Sequence, residues 1–340
     1  MARAFLTGGS GFLGGALLEG LLTRGDTVTA LARSDAAAAA LVDKGVYVAR
    51  GDTLDEDALA AGMRGCDIVY HVAGMNTLCP EDPVEMIHVN VRGAETAVRA
   101  AARAGIARLV LTSSAASLGE EHGTIGNEDS PHRGSYLSVY ERSKREGEVA
   151  ALAAGERDGV EVVSVNPSSV QGPGRAGGTG RIMIAYLNGT LRAFVHTNIS
   201  IVDIRDCVAG HLLAADIGRP GERYVLNGVT LKSSEALEIV SGMTGVVEKP
   251  RFLPPSVAQT AAAAVEGGFK LARKHPPVCR AMVRTMLHGH RYDGSRATRE
   301  LGLQYTDVRD TFARTIEWAI SQGLVKRPLP DFSSPASGSP

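Results

Sequence analysis

The sequence predicts an α/β protein with a doubly wound parallel sheet and a smaller C-terminal region, and three observations carry that prediction. Short apolar runs alternate with longer helical stretches through the first two-thirds of the chain, the pattern of βαβ units with helices on both faces of a sheet. A glycine-rich string, Thr7-Gly8-Gly9-Ser10-Gly11-Phe12-Leu13-Gly14, stands between the first apolar run and the first helical stretch. From about residue 170 the alternation fails, and Gly172-Pro173-Gly174 and Gly177-Gly178-Thr179-Gly180 mark loops.

Taken in order, strands are expected at Ala4–Thr7, Thr27–Ala32, Val46–Arg50, Ile68–His71, Arg108–Thr112 and Glu161–Val165. Helices are expected over Phe12–Arg24, Pro83–Ala104 and Tyr136–Arg157. The last two are long enough to face a second copy of the chain. Ala94, Ala97, Ala101 and Ala104 recur at helical spacing and permit close approach, either in a homodimer or against the sheet. Residues 1–170 are assigned to the sheet domain, with parts of 200–230 returning to it, and 171–325 to a substrate-binding region. The Pro-, Ser- and Gly-containing stretch 326–340 is expected to be a disordered tail.

Composition narrows the class. The chain has 340 residues, 44% hydrophobic and 21% charged, enough to bury a sizeable core. Its 36 basic and 37 acidic residues give no overall field that would gather nucleic acid. Cys66, Cys79, Cys207 and Cys279 are scattered, which argues against a disulfide framework and a structural zinc site and for a reducing, cytoplasmic setting. The N-terminus runs straight into the glycine string, and no stretch reaches the ~18 apolar residues of a membrane span. The partner is expected to be a small molecule.

The glycine string has a chemical purpose in its place between strand and helix. Gly8 permits a tight turn, Gly11 lets backbone amides approach a pyrophosphate, and Gly14 lets the helix pack on the strand. Phe12 and Leu13 open a helix whose N-terminus supplies donors and a positive dipole end. This is a Rossmann-type dinucleotide site. At the end of the second strand, where a carboxylate would hold an NAD ribose, stands Arg33. A guanidinium can pair with a 2′-phosphate, so NADP(H) is favoured over NAD(H), although Asp35 lies close and Arg33 could instead stack on adenine. Asp52 and Thr53 would reach the adenine edge. Val72, Ala73 and Gly74 offer small residues where the cofactor lies against backbone.

Tyr140 and Lys144 lie four residues apart, on one helical face. A phenol with an ordinary pKa of about 10 is a poor proton shuttle at neutral pH, and a neighbouring cation favours its ionised form. Lys144 is expected to lower Tyr140 in this way while holding the nicotinamide ribose. Ser114, in Thr112-Ser113-Ser114-Ala115 at the C-terminal end of the fifth strand, would hydrogen-bond the reacting oxygen.

Together T-G-G-S-G-F-L-G, G-D-T-L-D, H-V-A-G, V-N-V-R-G, T-S-S-A, Y-E-R-S-K and N-P-S-S-V-Q-G-P, in this order, resemble the extended short-chain dehydrogenase/reductase superfamily. The resemblance implies a Rossmann domain, a Ser114–Tyr140–Lys144 triad and nicotinamide contacts from Pro167 to Ser169. Asn90 would sit in the family's long fourth helix, near the cofactor or making a helix-kinking hydrogen bond. Tyr292-Asp293-Gly294-Ser295-Arg296-Ala297 with Arg299-Glu300-Leu301-Gly302 looks like the dihydroflavonol-reductase and 3-beta-hydroxysteroid-dehydrogenase branch. Gln171 stands where nucleotide-sugar epimerases and dehydratases carry tyrosine. The expected activity is therefore NAD(P)-dependent reduction of a fairly apolar ketone or oxidation of its alcohol. A nucleotide-sugar epimerase or dehydratase with retained cofactor is the alternative, and a non-catalytic dinucleotide sensor a third.

Two signals are set aside. His288 and His290, with Cys279 nearby, lack a carboxylate or second cysteine at recognisable spacing, so no metal is expected and they read as surface histidines. Segment 256–291 holds six basic residues and one acidic residue, Glu266. It reads as a solvated face, or as a surface for an acidic substrate tail or a membrane.

Overall fold

The computed structural model describes residues 1–330 and 332. The first half of the chain alternates as expected: β1 (Arg3–Thr7), α1 (Phe12–Thr23), β2 (Thr27–Ala32), α2 (Asp35–Val42), β3 (Tyr47–Arg50), α3 (Glu56–Met63) and β4 (Ile68–His71). There follow α4 (Pro83–Ile87), a wide π turn (His88–Arg92), α5 (Gly93–Arg103), β5 (Arg108–Thr112), α6 (Val139–Asp158) and β6 (Glu161–Pro167). All six strands pair in parallel in one sheet. A seventh, β10 (Arg223–Leu226), joins at its edge, giving the order β10-β6-β5-β4-β1-β2-β3. The order reverses between β1 and β4. In such sheets the crevice beyond the strand ends at that point is where ligands bind.

The sheet is apolar on both faces because both are covered. α1 and α8 (Ile204–Ile217) pack on one side, where Leu17, Leu18 and Leu21 share one core with Val163, Val165 and Leu226. On the other side α3, α5 and α6 bury Phe5, Val69 and Leu109. The alanine stripe Ala94, Ala97 and Ala101 is fully used in this second core, packed within the chain.

Beyond β6 come β7 (Ser169–Gln171), α7 (Thr179–Leu187), β8 (Ala193–Val195), β9 (Asn198–Asp203), α8 (Ile204–Ile217), β10 (Arg223–Leu226) and β11 (Val229–Lys232). The chain ends with α9 (Ser233–Thr244), β12 (Arg251–Leu253), α10 (Pro255–Leu271), α11 (Arg280–His288), α12 (Ser295–Leu301) and α13 (Val308–Ser321). α8 and β10 are the segment that returns to the main sheet. β7, β9 and β11 form a small separate sheet, and β8 pairs with β12. α7, α9 and α13 close a core of their own around Tyr186, Val240, Phe312 and Ile316.

Several expectations are corrected. The helix expected over Pro83–Ala104 is interrupted by the π turn at Asn90, and α6 starts at Val139 because Ser138 caps it, its Oγ accepting the Glu141 N–H at 3.1 Å. Cys79 and Cys279, read as free thiols, form a disulfide with Cα atoms 5.9 Å apart. It joins the loop after β4 to the residue preceding α11, a pairing that sequence spacing cannot reveal across 200 residues. The tail expected to be disordered is docked at its start. Lys326 N–H donates to Asn188 Oδ1, and Arg327 reaches Glu248 and the Leu187 carbonyl. Residue 331 and residues 333–340 of that tail lie outside the described residues. No helix among the described residues is long and apolar enough to cross a membrane.

Candidate active site

The glycine turn is held from below by Thr7, whose Oγ accepts both the Val72 and Ala73 N–H at 3.1 Å. This brings the ends of β1 and β4 together, so close that a Cβ on Gly8 would stand 2.8 Å from Ala73 N. Gly8 also has φ +75°, where only glycine is unstrained. A Cβ on Gly14 would meet the Gly8 carbonyl at 2.0 Å, which is why the helix can start so near the strand. Gly11 caps α1 without a side-chain bond, and the first turn carries no acidic residue. The free amides and dipole of that turn fit a pyrophosphate. Phe12 projects beneath the Arg175 guanidinium, 5.3 Å from its ring centre, and Leu13 packs into the core.

At the far end, Arg33 is 79% exposed and stands 3.6 Å from Asp52. Asp35 is drawn away into a pair with Arg50. Asp52 also accepts the Leu54 N–H, and Thr53 lies against Gly93. An open groove of about 890 Å³ runs past Arg33, Asp52, Leu54, His88 and Val89, outside the ends of β2 and β3. Gly74 faces Lys144: a Cβ there would be 3.5 Å from Lys144 Nζ and 3.0 Å from Asn90 Oδ1. Asn90 is in turn bonded to the backbone of Met75 and to Ser143 Oγ at 2.8 Å, while Ser143 Oγ donates to the Tyr140 carbonyl. Asn90 thus stands at the helix deformation and beside Gly74, tying the loop after β4 to α6.

Ser114, Tyr140 and Lys144 converge at the C-terminal end of β5. Ser114 Oγ accepts the Ala116 N–H at 3.2 Å and favours the ionised form of the Tyr140 phenol. Lys144 Nζ donates to the Thr112 carbonyl at 3.2 Å. Burial lowers the Lys144 ammonium to about 8, with Glu148 pulling the other way. Burial and Lys144 together push His71 down to about 3, so that ring is neutral.

Burial pushes the Tyr140 phenol up, and the groups pulling it back are the Ser114 hydroxyl and the Arg175 charge. Lys144 is turned to the Thr112 carbonyl. Arg175 is the residue sequence reasoning missed. It lies in the loop after β7, buried enough that its own charged form is disfavoured, and its Nε has no hydrogen-bond partner. The signal was a single cation inside a glycine-rich loop, and loop conformation cannot be read from local pattern.

Pro167 ends β6, paired with Leu226. Ser169 is not free: its Oγ is 2.8 Å from Thr179 Oγ1 and accepts from Gln171 Nε2. Asn166 and Glu148 form a buried network behind the site, with Ser117 and Arg223. His288 and His290, expected at the surface, are largely buried. The carboxylate that sequence spacing lacked, Glu120, stands beside both.

Residues 4–226 match the NAD dependent epimerase/dehydratase family. Over 332 residues the chain is 33% identical to sterol demethylase protein B of Methylococcus capsulatus, covering 94% of this chain and 99% of that one. It is 32% identical to a putative dihydroflavonol 4-reductase of Synechocystis sp., covering 95% and 96%. The crystal structure of gox2253 superposes with a TM-score of 0.83 at 29% identity, covering 96% of this chain and all of the other. With its seven-stranded Rossmann-like sheet, the chain belongs to the NAD dependent epimerase/dehydratase family of the extended short-chain dehydrogenases/reductases and is an NAD(P)-dependent oxidoreductase.

Proposed function

We infer that the enzyme interconverts a fairly apolar ketone and its secondary alcohol. The observation that carries this is the half-buried Tyr140 phenol at the mouth of the sheet, where Ser114 and Arg175 both favour its ionised form. When bound, the nicotinamide supplies or accepts the hydride at its C4. In the reductive direction Tyr140 gives its proton to the substrate oxygen, and in the oxidative direction it takes that proton back. Ser114 Oγ holds the same oxygen beside it. Lys144, fixed by the Thr112 carbonyl and facing Gly74, binds the cofactor's ribose. The unpaired amides of α1 would hold the pyrophosphate, and Pro167 and Ser169 would contact the nicotinamide. The relatives named sterol demethylase protein B and putative dihydroflavonol 4-reductase support a cyclic, largely apolar substrate.

NADP(H) is the preferred cofactor in this reading. Arg33 supports it, an exposed guanidinium at the end of β2 whose nearest carboxylate on α2, Asp35, is already paired with Arg50. A second reading, a nucleotide-sugar epimerase or dehydratase, is supported by Arg175, a half-buried cation with a buried, unpartnered Nε that an anionic substrate would use. Turnover separates the two. Steady consumption of external NADPH by ketones supports the reductase, and conversion of a UDP-sugar without added cofactor overturns it.

A further inference from the structure

Away from Tyr140, three metal-ligating side chains from distant parts of the chain converge. Glu120 follows the short turn Ala115–Leu118, His288 ends α11, and His290 lies just beyond it. One ligand atom from each lies within 4.8 Å of the other two. Glu120 Oε1 is 2.6 Å from His290 Nδ1 and 3.6 Å from His288 Nε2. The backbone is built for this. Gly289, at φ +66°, caps α11 in the left-handed region that a side chain would strain, and the two imidazoles flanking it lie 4.6 Å apart. Supporting contacts fix the set: Arg133 donates to the Glu120 carbonyl, Ser200 to the His290 carbonyl, and Tyr292 stacks on His290.

A second observation points to a ligand. The Glu120 and His288 side chains are only 2% and 7% exposed. Yet Glu120 Oε2, His288 Nε2 and His290 Nε2 are buried without a hydrogen-bond partner. Buried polar atoms are nearly always paired, so three side chains of one cluster that each keep an unpartnered polar atom ask for an occupant. One carboxylate oxygen and two imidazole nitrogens suit a first-row transition metal, whereas calcium and magnesium prefer all-oxygen sites.

We propose that Glu120, His288 and His290 bind one divalent transition-metal ion of the zinc class. The ion pins the C-terminal end of α11 to the loop that follows Ser114. The N-terminal end of the same helix is already pinned, through Cys279, to the loop after β4. α11 is thus clasped at both ends over the substrate side of the sheet.

The test uses the full chain, purified, stripped with a chelator and dialysed against cobalt(II) or zinc(II). One retained equivalent per chain is expected, with d–d absorption from cobalt in an N/O protein site and a rise in Tm on adding zinc. Glu120→Gln and His288→Asn should each weaken binding by at least the ~100-fold that loss of a supporting group costs, while His196→Asn leaves it unchanged. Should a variant fail to fold, the wild-type cobalt spectrum still decides. A spectrum indistinguishable from aqueous cobalt, no retained equivalent at micromolar metal, or stoichiometric binding that survives in the folded variants overturns the site.

Discussion

The Arg175 guanidinium lies close enough to the Tyr140 phenol to favour its ionised form, while the ammonium of Lys144, one helical turn beyond that phenol, is bonded to the Thr112 carbonyl. A cation that tunes the phenol thus comes from the loop after β7. Arg175→Gln should raise the Tyr140 pKa further. Alcohol oxidation, which needs the ionised phenol, then falls about tenfold at neutral pH by loss of one neighbouring charge, and its kcat/KM profile moves to higher pH. An unmoved profile would show that Arg175 acts elsewhere.

Tyr140→Phe removes only the hydroxyl. Turnover should drop about 100- to 10,000-fold in either direction, the usual worth of a positioned acid–base. NADPH affinity, followed by fluorescence titration, should stay within about twofold, because the amides of α1 and Lys144 remain.

Lys144 makes stability depend on pH. Folded, it loses its proton near pH 8; unfolded, near the ordinary 10.5. Between those values the unfolded chain holds the extra proton, so this group adds stability as pH rises through that window. Below pH 8 the folded state carries the whole penalty of a buried charge, about 3 kcal/mol. Lys144→Met should therefore be more stable than the parent in urea at pH 7, and the advantage should shrink toward pH 10.5, while activity is lost.

Arg33→Ala should weaken NADPH binding about 10- to 100-fold, the worth of a charge-assisted pair with a phosphate, and leave NADH binding nearly unchanged. Parallel losses for both cofactors would assign Arg33 to adenine stacking instead.

Thiol titration of the denatured, unreduced protein should count two reactive cysteines, Cys66 and Cys207, and four after reduction. Replacing Cys79 and Cys279 together with serine should cost about 2–5 kcal/mol of unfolding free energy. Four thiols before reduction would exclude the bond.

The central strands were legible because each is a short apolar run closed by a turn signal, and both faces of a parallel sheet demand such runs. Gly8, Gly11 and Gly14 were legible because their spacing is itself the geometry. Ser114, Tyr140 and Lys144 could be named, yet the direction of the Lys144 ammonium could not, since a four-carbon arm reaches several partners from one helical position. Arg175, the Cys79–Cys279 bond and Glu120 beside His288 were hidden for a common reason. Each joins residues that only the folded chain brings together, and no local period encodes such a meeting.

The wide turn at His88–Arg92 divides one long rod into two phases. Met86 points inward before it, and Ala94, Ala97, Val98 and Ala101 point inward after it. Each residue of a helix advances the rotation by about 100°, so the extra residue in that turn is what sets the second phase. Delete one residue there and every later side chain moves back one place: Arg99 takes the position of buried Val98, and Glu95 that of buried Ala94. The count of residues in this helix is therefore fixed.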